Sequence, residues 1–437
     1  MALGVYISVP FCRSKCSYCN FSSDVFSQRV VGRYLDRLVA EVESAARTAE
    51  SMGGEFERDL DTLYLGGGSP TILDSHSLER LFVTIRQNFR LLSHAEVTVE
   101  CAPGTLSSAT LALLARHHVN RVSLGVQSFI DPEAAAVGRL HNRTTVAGDL
   151  AQLRAAGITN TNLDLIAGLP HQTEESWDLS VQRAIDSGAP HVSVYMLEID
   201  DESRLGRELL AGGRRYHAHF VPDEELIADL YLAACEKLSR AGLVHYEISN
   251  FARPGFESRH NLKYWKREPY LGFGLDAHSM LRASADPYSW LSGVADQAAS
   301  HVGGGRPCAV ACADLDAVRF STPDSLEPYL SGSGPSRTLV FRRGALEEEF
   351  FLGLRLTRGI DISRLALLYG ADQVEAFLPT IGEFTAGGLM LRDRDVIRLT
   401  SRGRLLSNEI FARLLSVSES QVSIFEHRSN WGGAREL

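Results

Sequence analysis

The sequence predicts an α/β protein: a partial, open (β/α)6 TIM-type barrel, then a middle aromatic and His-rich segment and a small winged-helix-like C-terminal domain. Three observations predict it. β-rich runs alternate with amphipathic helical patterns over the first half, polar or glycine residues gather at the ends of those runs, and the rhythm changes after about residue 205. Strands are expected at Val5 to Val9, Thr62 to Leu65, Glu96 to Glu100, Arg121 to Val126, Asn160 to Ile166 and His191 to Leu197. Helical patterning fills the gaps at Val31 to Ala46, Ser77 to Asn88, Ser107 to Arg116, Thr145 to Ala156 and Glu174 to Ser187. Such alternation builds βαβ units on a parallel sheet. Six units fall two short of a closed eight-stranded barrel.

Beyond the barrel, Leu205 to Phe220 reads as a connection, and Asp223 to Ala241 as a helix stopped by Gly242. Val244 to Met280 is dense in His, Tyr, Trp, Phe and Gly. Gly303 to Pro307 and Ser331 to Ser336 resemble linkers; helical patterning returns from Ala345, and Val396 to Thr400 followed by Ser401-Arg402-Gly403 suggests a strand and turn. The expected division is 1–215 for the barrel, 216–305 for the middle region, 306–345 for a linker and 346–437 for the C-terminal domain.

Composition narrows the function. The 437 residues are 44% hydrophobic and 22% charged, an ordinary globular balance. A net charge of −10 argues against broad nucleic-acid binding, which neutralises phosphates with basic side chains. Apolar runs fall short of the roughly 18 residues that span a bilayer, and Met1 to Pro10 reads as a strand, not a leader. A cytoplasmic protein without a membrane span is expected, with peripheral association left open.

Three of the seven cysteines stand close together as Cys12-x3-Cys16-x2-Cys19. Three soft thiolates on a short loop suit a four-iron cluster with one iron left open. A closed zinc site needs a fourth ligand, and none stands nearby, although zinc and unliganded structural thiols stay as alternatives. Cys308-x3-Cys312 is a weaker metal candidate and reads more readily as two buried thiols. Strand ends carry Gly66-Gly67-Gly68-Ser69-Pro70, Glu100, Gln127 and Asp164. In α/β barrels the carboxyl ends of the strands hold the chemistry, so these describe one rim, although a glycine loop alone is equally a tight turn.

The cysteine spacing, with Tyr6-Ile7-Ser8-Val9-Pro10-Phe11-Cys12 and Gly66-Gly67-Gly68-Ser69-Pro70-Thr71, resembles the radical S-adenosylmethionine superfamily. Further segments resemble its subgroup of oxygen-independent coproporphyrinogen dehydrogenases and HemW-type haem chaperones: Val99 to Thr105, Arg121 to Phe129, Gly138-Arg139-Leu140-His141 and Asp164 to Pro170. The resemblance implies a [4Fe–4S] cluster on Cys12, Cys16 and Cys19. It also implies S-adenosylmethionine contacts from Tyr6, Gly67, Gly68, Ser69, Glu100, Gln127, Arg139 and Asp164, and cleavage of that cofactor to a 5′-deoxyadenosyl radical when an electron donor reduces the cluster. Carboxylates suit ribose hydroxyls and a cationic amine, and Arg suits the cofactor carboxylate.

Three features resemble the chaperone branch. Phe21 stands where the dehydrogenases carry a further Cys, Cys12 lies near the first residue where they have a longer leading segment, and His260-Asn261-Leu262-Lys263-Tyr264-Trp265 matches an HNxxYW motif. The expectation is a protein of porphyrin metabolism that binds haem and delivers it to apoproteins, with a homodimer left open. His260, Tyr264 and Trp265 are candidate haem contacts, although His260 could equally be a satisfied core residue. The competing readings are oxidative decarboxylation of coproporphyrinogen III and, from another class, a zinc-stabilised interaction protein. Tyr270 to Gly274, Ala277-His278-Ser279 and Gly353-Leu354-Arg355 extend the resemblance. Departures are Ser8 for a frequent His, Ala102 for Asn, Ala167 for Tyr and Leu275-Asp276 for Pro-Gly.

Overall fold

Six strands line up in parallel in chain order: β1 (Leu3–Val9), β2 (Asp59–Gly67), β3 (Arg90–Cys101), β4 (Arg121–Gln127), β5 (Asn160–Ala167) and β6 (His191–Met196). The structure is a computed structural model and describes residues 1–22, 24–25, 27–284 and 314–419. Helices α1 (Gln28–Glu43), α2 (Ser75–Asn88), α3 (Ser108–Arg116), α4 (Arg143–Ala155), α5 (Glu174–Asp186) and α6 (Glu224–Arg240) follow the successive strands. Local chemistry fixes where they begin. Asp74 accepts the Ser77 amide to start α2, and Thr173 with Ser176 forms a reciprocal capping box on α5.

The strands alternate with period two. Val122, Leu124, Leu163, Leu165, Val192 and Val194 are completely buried in the main apolar core. Their neighbours Arg121, Ser123, Asn162, Asp164, His191 and Ser193 line a cavity on the other face. Each buried Leu or Val contributes roughly 1.5–3 kcal/mol of transfer free energy, so apolar packing fixes register and thereby decides which polar groups converge.

The sheet is larger than the sequence predicts. β7 (Val244–Glu247) and β8 (Asn250–Ala252) form a hairpin on β6. On the opposite side, β9 (Tyr270–Phe273) pairs in parallel with β1, with Tyr6 opposite Gly272. β10 (His278–Arg282), β11 (Leu315–Ser321) and β12 (Ser336–Phe341) continue antiparallel, giving twelve strands in the order β12-β11-β10-β9-β1-β2-β3-β4-β5-β6-β8-β7. The expected boundary at 215 therefore cuts through one sheet. The expected linker over 306–345 is corrected too: β11 and β12 are strands of that sheet, and the Ser331–Ser336 stretch is the turn leading into β12. Cys308, Cys312 and the Gly303 to Pro307 stretch lie outside the described residues.

A separate apolar cluster with Phe350, Leu365, Phe377, Ile397 and Phe411 forms the C-terminal unit. It contains α8 (Arg342–Gly353), β13 (Ile360–Asp361), a helix over Ile362–Tyr369, β14 (Met390–Asp393) and β15 (Val396–Leu399), the strands ordered β13-β15-β14. Buried Glu348 on α8 ties it to the sheet by accepting from Arg267 at 2.7 Å and from Arg319 at 2.6 Å. Among the described residues, no helix is long and apolar enough to cross a membrane.

Candidate functional site

The cysteine loop leaves β1 at Pro10 and is held against the end of β2. The Gly68 amide donates to Val9 O at 3.0 Å and the Ser69 amide to Phe11 O at 2.9 Å. Only glycine fits at 68, because a Cβ there would stand 2.7 Å from Phe11 N, Phe11 O and Val9 O. Gly67 takes φ +96°, a left-handed conformation open to glycine. The turn role and the site role therefore coincide: the glycine loop packs the cysteine loop onto the barrel mouth.

Cys12, Cys16 and Cys19 line a cavity of about 470 Å³ in the barrel interior. Burial first, then the neighbouring Cys19 and Cys16 sulfurs, pushes the Cys12 thiol up to about 11. The Cys12 thiol therefore gives up its proton to a metal cation, not to water at neutral pH. Among the described residues no three His, Cys, Asp or Glu side chains converge on one ion position. A mononuclear zinc needs that convergence; thiolates on a four-iron cluster each take a different iron. Three thiols on one short loop at the barrel mouth are a donor set that fits such a cluster.

The same cavity gathers Tyr6, Gly67, Gly68, Ser69, Glu100, Gln127, Arg139 and Asp164. Glu100 accepts the Tyr64 hydroxyl at 2.8 Å and the Gly67 amide at 3.1 Å. Gly66 permits this approach, since a Cβ there would lie 2.8 Å from the Glu100 carboxylate. Burial, with the Asp164 charge adding to it against those hydrogen bonds, lifts Glu100 to about 7. Asp164 accepts from Ser123 at 3.0 Å and from the Asn162 amide at 2.7 Å; burial raises its pKa in spite of them. Arg139 reaches from the α4 side to Gly125 O and, at 3.5 Å, to Cys16 Sγ.

Two observations favour a ligand here. Gln127 Oε1 and Arg139 Nε are buried with no hydrogen-bond partner, a cost that a polar ligand would relieve. Gln127 also holds φ +68°, and such strain gathers at functional sites. The interior groups Tyr64, Arg121, Ser123, Asn162, His191 and Ser193 line the cavity as well and were not singled out from the sequence. Their signal was available: a polar residue at every second position of strands whose other face is wholly apolar.

The three candidate haem contacts stand elsewhere, on helix α7 (Arg259–Trp265). His260 is 1% exposed; its Nδ1 lies 2.9 Å from Thr62 Oγ1 and its Nε2 2.7 Å from the Tyr264 hydroxyl. Glu96 accepts the Arg259 and His260 amides, both at 3.1 Å, an anion at a helix N-terminus. Burial, with Lys263 and Arg121 adding to it, lowers His260 to about 3. The structure places His260 as a core residue with both ring nitrogens within hydrogen-bond distance of buried hydroxyls, the arrangement that the sequence set beside a haem contact. Tyr264 is committed to the same link, while Trp265 faces a different cavity, beside the C-terminal unit.

Comparisons with known proteins bear on the same regions. Residues 6–184 match the radical SAM superfamily model and residues 342–406 the HemN C-terminal domain. The chain is 33% identical over 417 residues to the heme chaperone HemW of Bacillus subtilis, covering 94% of this chain and 98% of that one. The heme chaperone HemW of Lactococcus lactis is 30% identical over 414 residues, covering 94% and 96%. The structure of coproporphyrinogen III oxidase (HemN) from Escherichia coli, a radical SAM enzyme, superposes with TM-score 0.75 at 23% identity, over 94% of this chain and 90% of that one. That last likeness shows the fold alone.

Proposed function

The chain belongs to the HemW family of radical SAM proteins, and from that premise we propose that it binds haem and passes it to apoproteins. The observation that carries the reading is the extent of the match, which runs through barrel, middle segment and C-terminal unit alike. Phe21 supports it: a half-exposed phenyl lines the cavity beside the cluster loop where the dehydrogenases carry a cysteine.

Cys12, Cys16 and Cys19 would hold the [4Fe–4S] cluster. Tyr6, Gly67, Gly68, Ser69, Glu100, Gln127, Arg139 and Asp164 would contact S-adenosylmethionine. When bound and reduced, the cluster supplies an electron for reductive cleavage of that cofactor. The chain's own contributions are binding and placement. Glu100 and Asp164 offer acceptors for hydroxyls and an amine, Arg139 offers a fork for a carboxylate, and the apolar shell outside the strands keeps the barrel rigid. An electron donor and haem-accepting apoproteins are the implied partners.

The test uses one anaerobically reconstituted sample. Haem titration is expected to give saturable binding, and incubation with coproporphyrinogen III, S-adenosylmethionine and reductant no protoporphyrinogen IX. Robust protoporphyrinogen formation would replace the chaperone reading with the decarboxylase.

A further inference from the structure

Arg121, the first residue of β4, is 2% exposed and lines the barrel cavity. Among the described residues its Nε is buried with no hydrogen-bond partner, and the guanidinium forms no ion pair. A charge taken out of water without a counter-charge is expensive. The carboxylates of the cavity are held by other donors: Asp164 by Ser123 and Asn162, Glu100 by Tyr64 and the Gly67 amide. Glu96 is spent on the amides of Arg259 and His260.

Register fixes the depth of Arg121. It stands opposite Thr98 of β3 and Asn160 of β5. At roughly 3.3 Å per residue it lies about 20 Å before Gln127 along β4, so it belongs to the floor of the barrel and not to the rim. Helix α7 closes that end, bonding β2 through Thr62, β3 through Glu96 and the start of β1 through Lys263 Nζ, which donates to Ala2 O at 3.0 Å. Asn261 on α7 lines the cavity, and its carboxamide has no hydrogen-bond partner among the described residues. His191 adds no charge: its ring nitrogens lie 2.6 Å from Asn162 Oδ1 and 2.9 Å from the Tyr246 hydroxyl. Burial, with the Arg121 charge adding to it, holds that imidazole well below its usual range.

We infer that the barrel floor is an oxyanion site, in which the Arg121 guanidinium, with the Asn261 carboxamide as a second donor, takes a carboxylate or phosphate group. A planar guanidinium fork fits either group with two parallel hydrogen bonds. The cavity of about 470 Å³ also has to hold the cofactor, so the anion is small: free phosphate, or one carboxylate arm of a ligand that enters by the mouth. The HNxxYW motif then has a divided role, with His260 and Tyr264 fastening α7 to the barrel and Asn261 facing the ligand. The site is independent of the haem reading and goes beyond it.

The test is calorimetric titration of the full, anaerobically reconstituted chain with inorganic phosphate and with propionate, at fixed ionic strength. Wild type should bind one of them saturably at a single site. Arg121→Met should bind it at least about ten-fold more weakly, the loss of a charged hydrogen bond. Arg121→Lys, which keeps the charge without the fork, should fall between the two. Arg398→Met, at an exposed position of β15, should bind as wild type, and neutral propionamide should not bind. Tighter binding of phosphate identifies a free anion, and tighter binding of propionate a carboxylate arm. Without either titrant, Arg121→Met should unfold at a temperature no lower than wild type, because no partner loses its counter-charge. Equal affinity in wild type and Arg121→Met would put the anion on Arg139 at the rim and overturn the site. Equal binding of propionamide, or no saturable heat with either anion, would overturn it as well, and none of these results touches haem binding. An Arg121→Met chain that fails to fold would contradict the unpartnered charge on which the site rests.

Discussion

His260 Nδ1 lies 2.9 Å from Thr62 Oγ1, which joins the middle segment to the second barrel strand through a ring with no exposed edge. His260→Ala would strand the Thr62 and Tyr264 hydroxyls in the core. At roughly 1–3 kcal/mol for each unsatisfied buried group, the expected loss is about 2–5 kcal/mol in denaturant unfolding. The Soret position of the bound haem should not move. A changed Soret band with stability intact would return His260 to the ligand set.

The parallel strands, the cysteine loop and the rim were legible because each rests on local pattern: β-rich runs at regular spacing, a three-thiol cluster, and polar residues at strand ends. β9 was not. Tyr270–Phe273 is four residues long, and its partner β1 is more than two hundred residues away, so nothing local marks it as a central strand. The linker expectation failed at Leu315–Ser321 for another reason: the strand pairs with its near neighbours β10 and β12, but the flanking Gly- and Ser-rich stretches gave the region the composition of a connection. The cavity residues Tyr6 to Asp164 were found from their positions and from family resemblance. The burial of His260 depends on Glu96, Thr62 and Tyr264 meeting it, which single-residue chemistry does not reveal.

The proposed contact of Glu100 with S-adenosylmethionine predicts a pH dependence of cofactor binding. Its folded pKa of about 7 means that the free site is mostly protonated below that pH. A cationic amine favours the charged carboxylate, so binding releases a proton there. S-adenosylmethionine affinity is expected to fall by up to about ten-fold per pH unit below 7. Glu100→Gln should bind more weakly at pH 8 and show little pH dependence between pH 5 and 7. An unaltered profile in that variant would remove Glu100 from the contact set.

Gly68→Ala tests the junction between the glycine and cysteine loops. The added methyl would meet only backbone, 2.7 Å away, and backbone cannot rotate aside. The variant is expected to lose the brown cluster absorbance and most of its iron after anaerobic reconstitution. Gly148→Ala, on α4 with nothing within 4 Å of the added Cβ, should keep its iron. Full iron loading of Gly68→Ala would contradict the described packing.

Glu348 holds the C-terminal unit through two arginines. Burial alone would raise its pKa, but Arg319 and Arg267 hold it below the usual carboxylate range. The folded form therefore binds its proton less readily than the unfolded chain. Its stabilisation is present above the ordinary carboxylate pKa and is lost as pH falls through the depressed one. Glu348→Gln would take the counter-charge from part-buried Arg319 and leave buried Arg267 with Asp316 and Glu349, at a cost of about 1.5–3 kcal/mol. Thermal unfolding should show that loss at pH 7 and a smaller one in acid. An equal loss at both pH values would contradict the ion-pair account.

The most direct measurement loads the purified chain with haem and follows its movement to an apo-haemoprotein by difference spectroscopy, with free haem at the same concentration as the control. Transfer that depends on this chain and proceeds faster than haem dissociates from it into solution is expected of a donor that docks to its acceptor. Haem that stays on the chain, or arrives no faster than it escapes into buffer, would contradict delivery as the function.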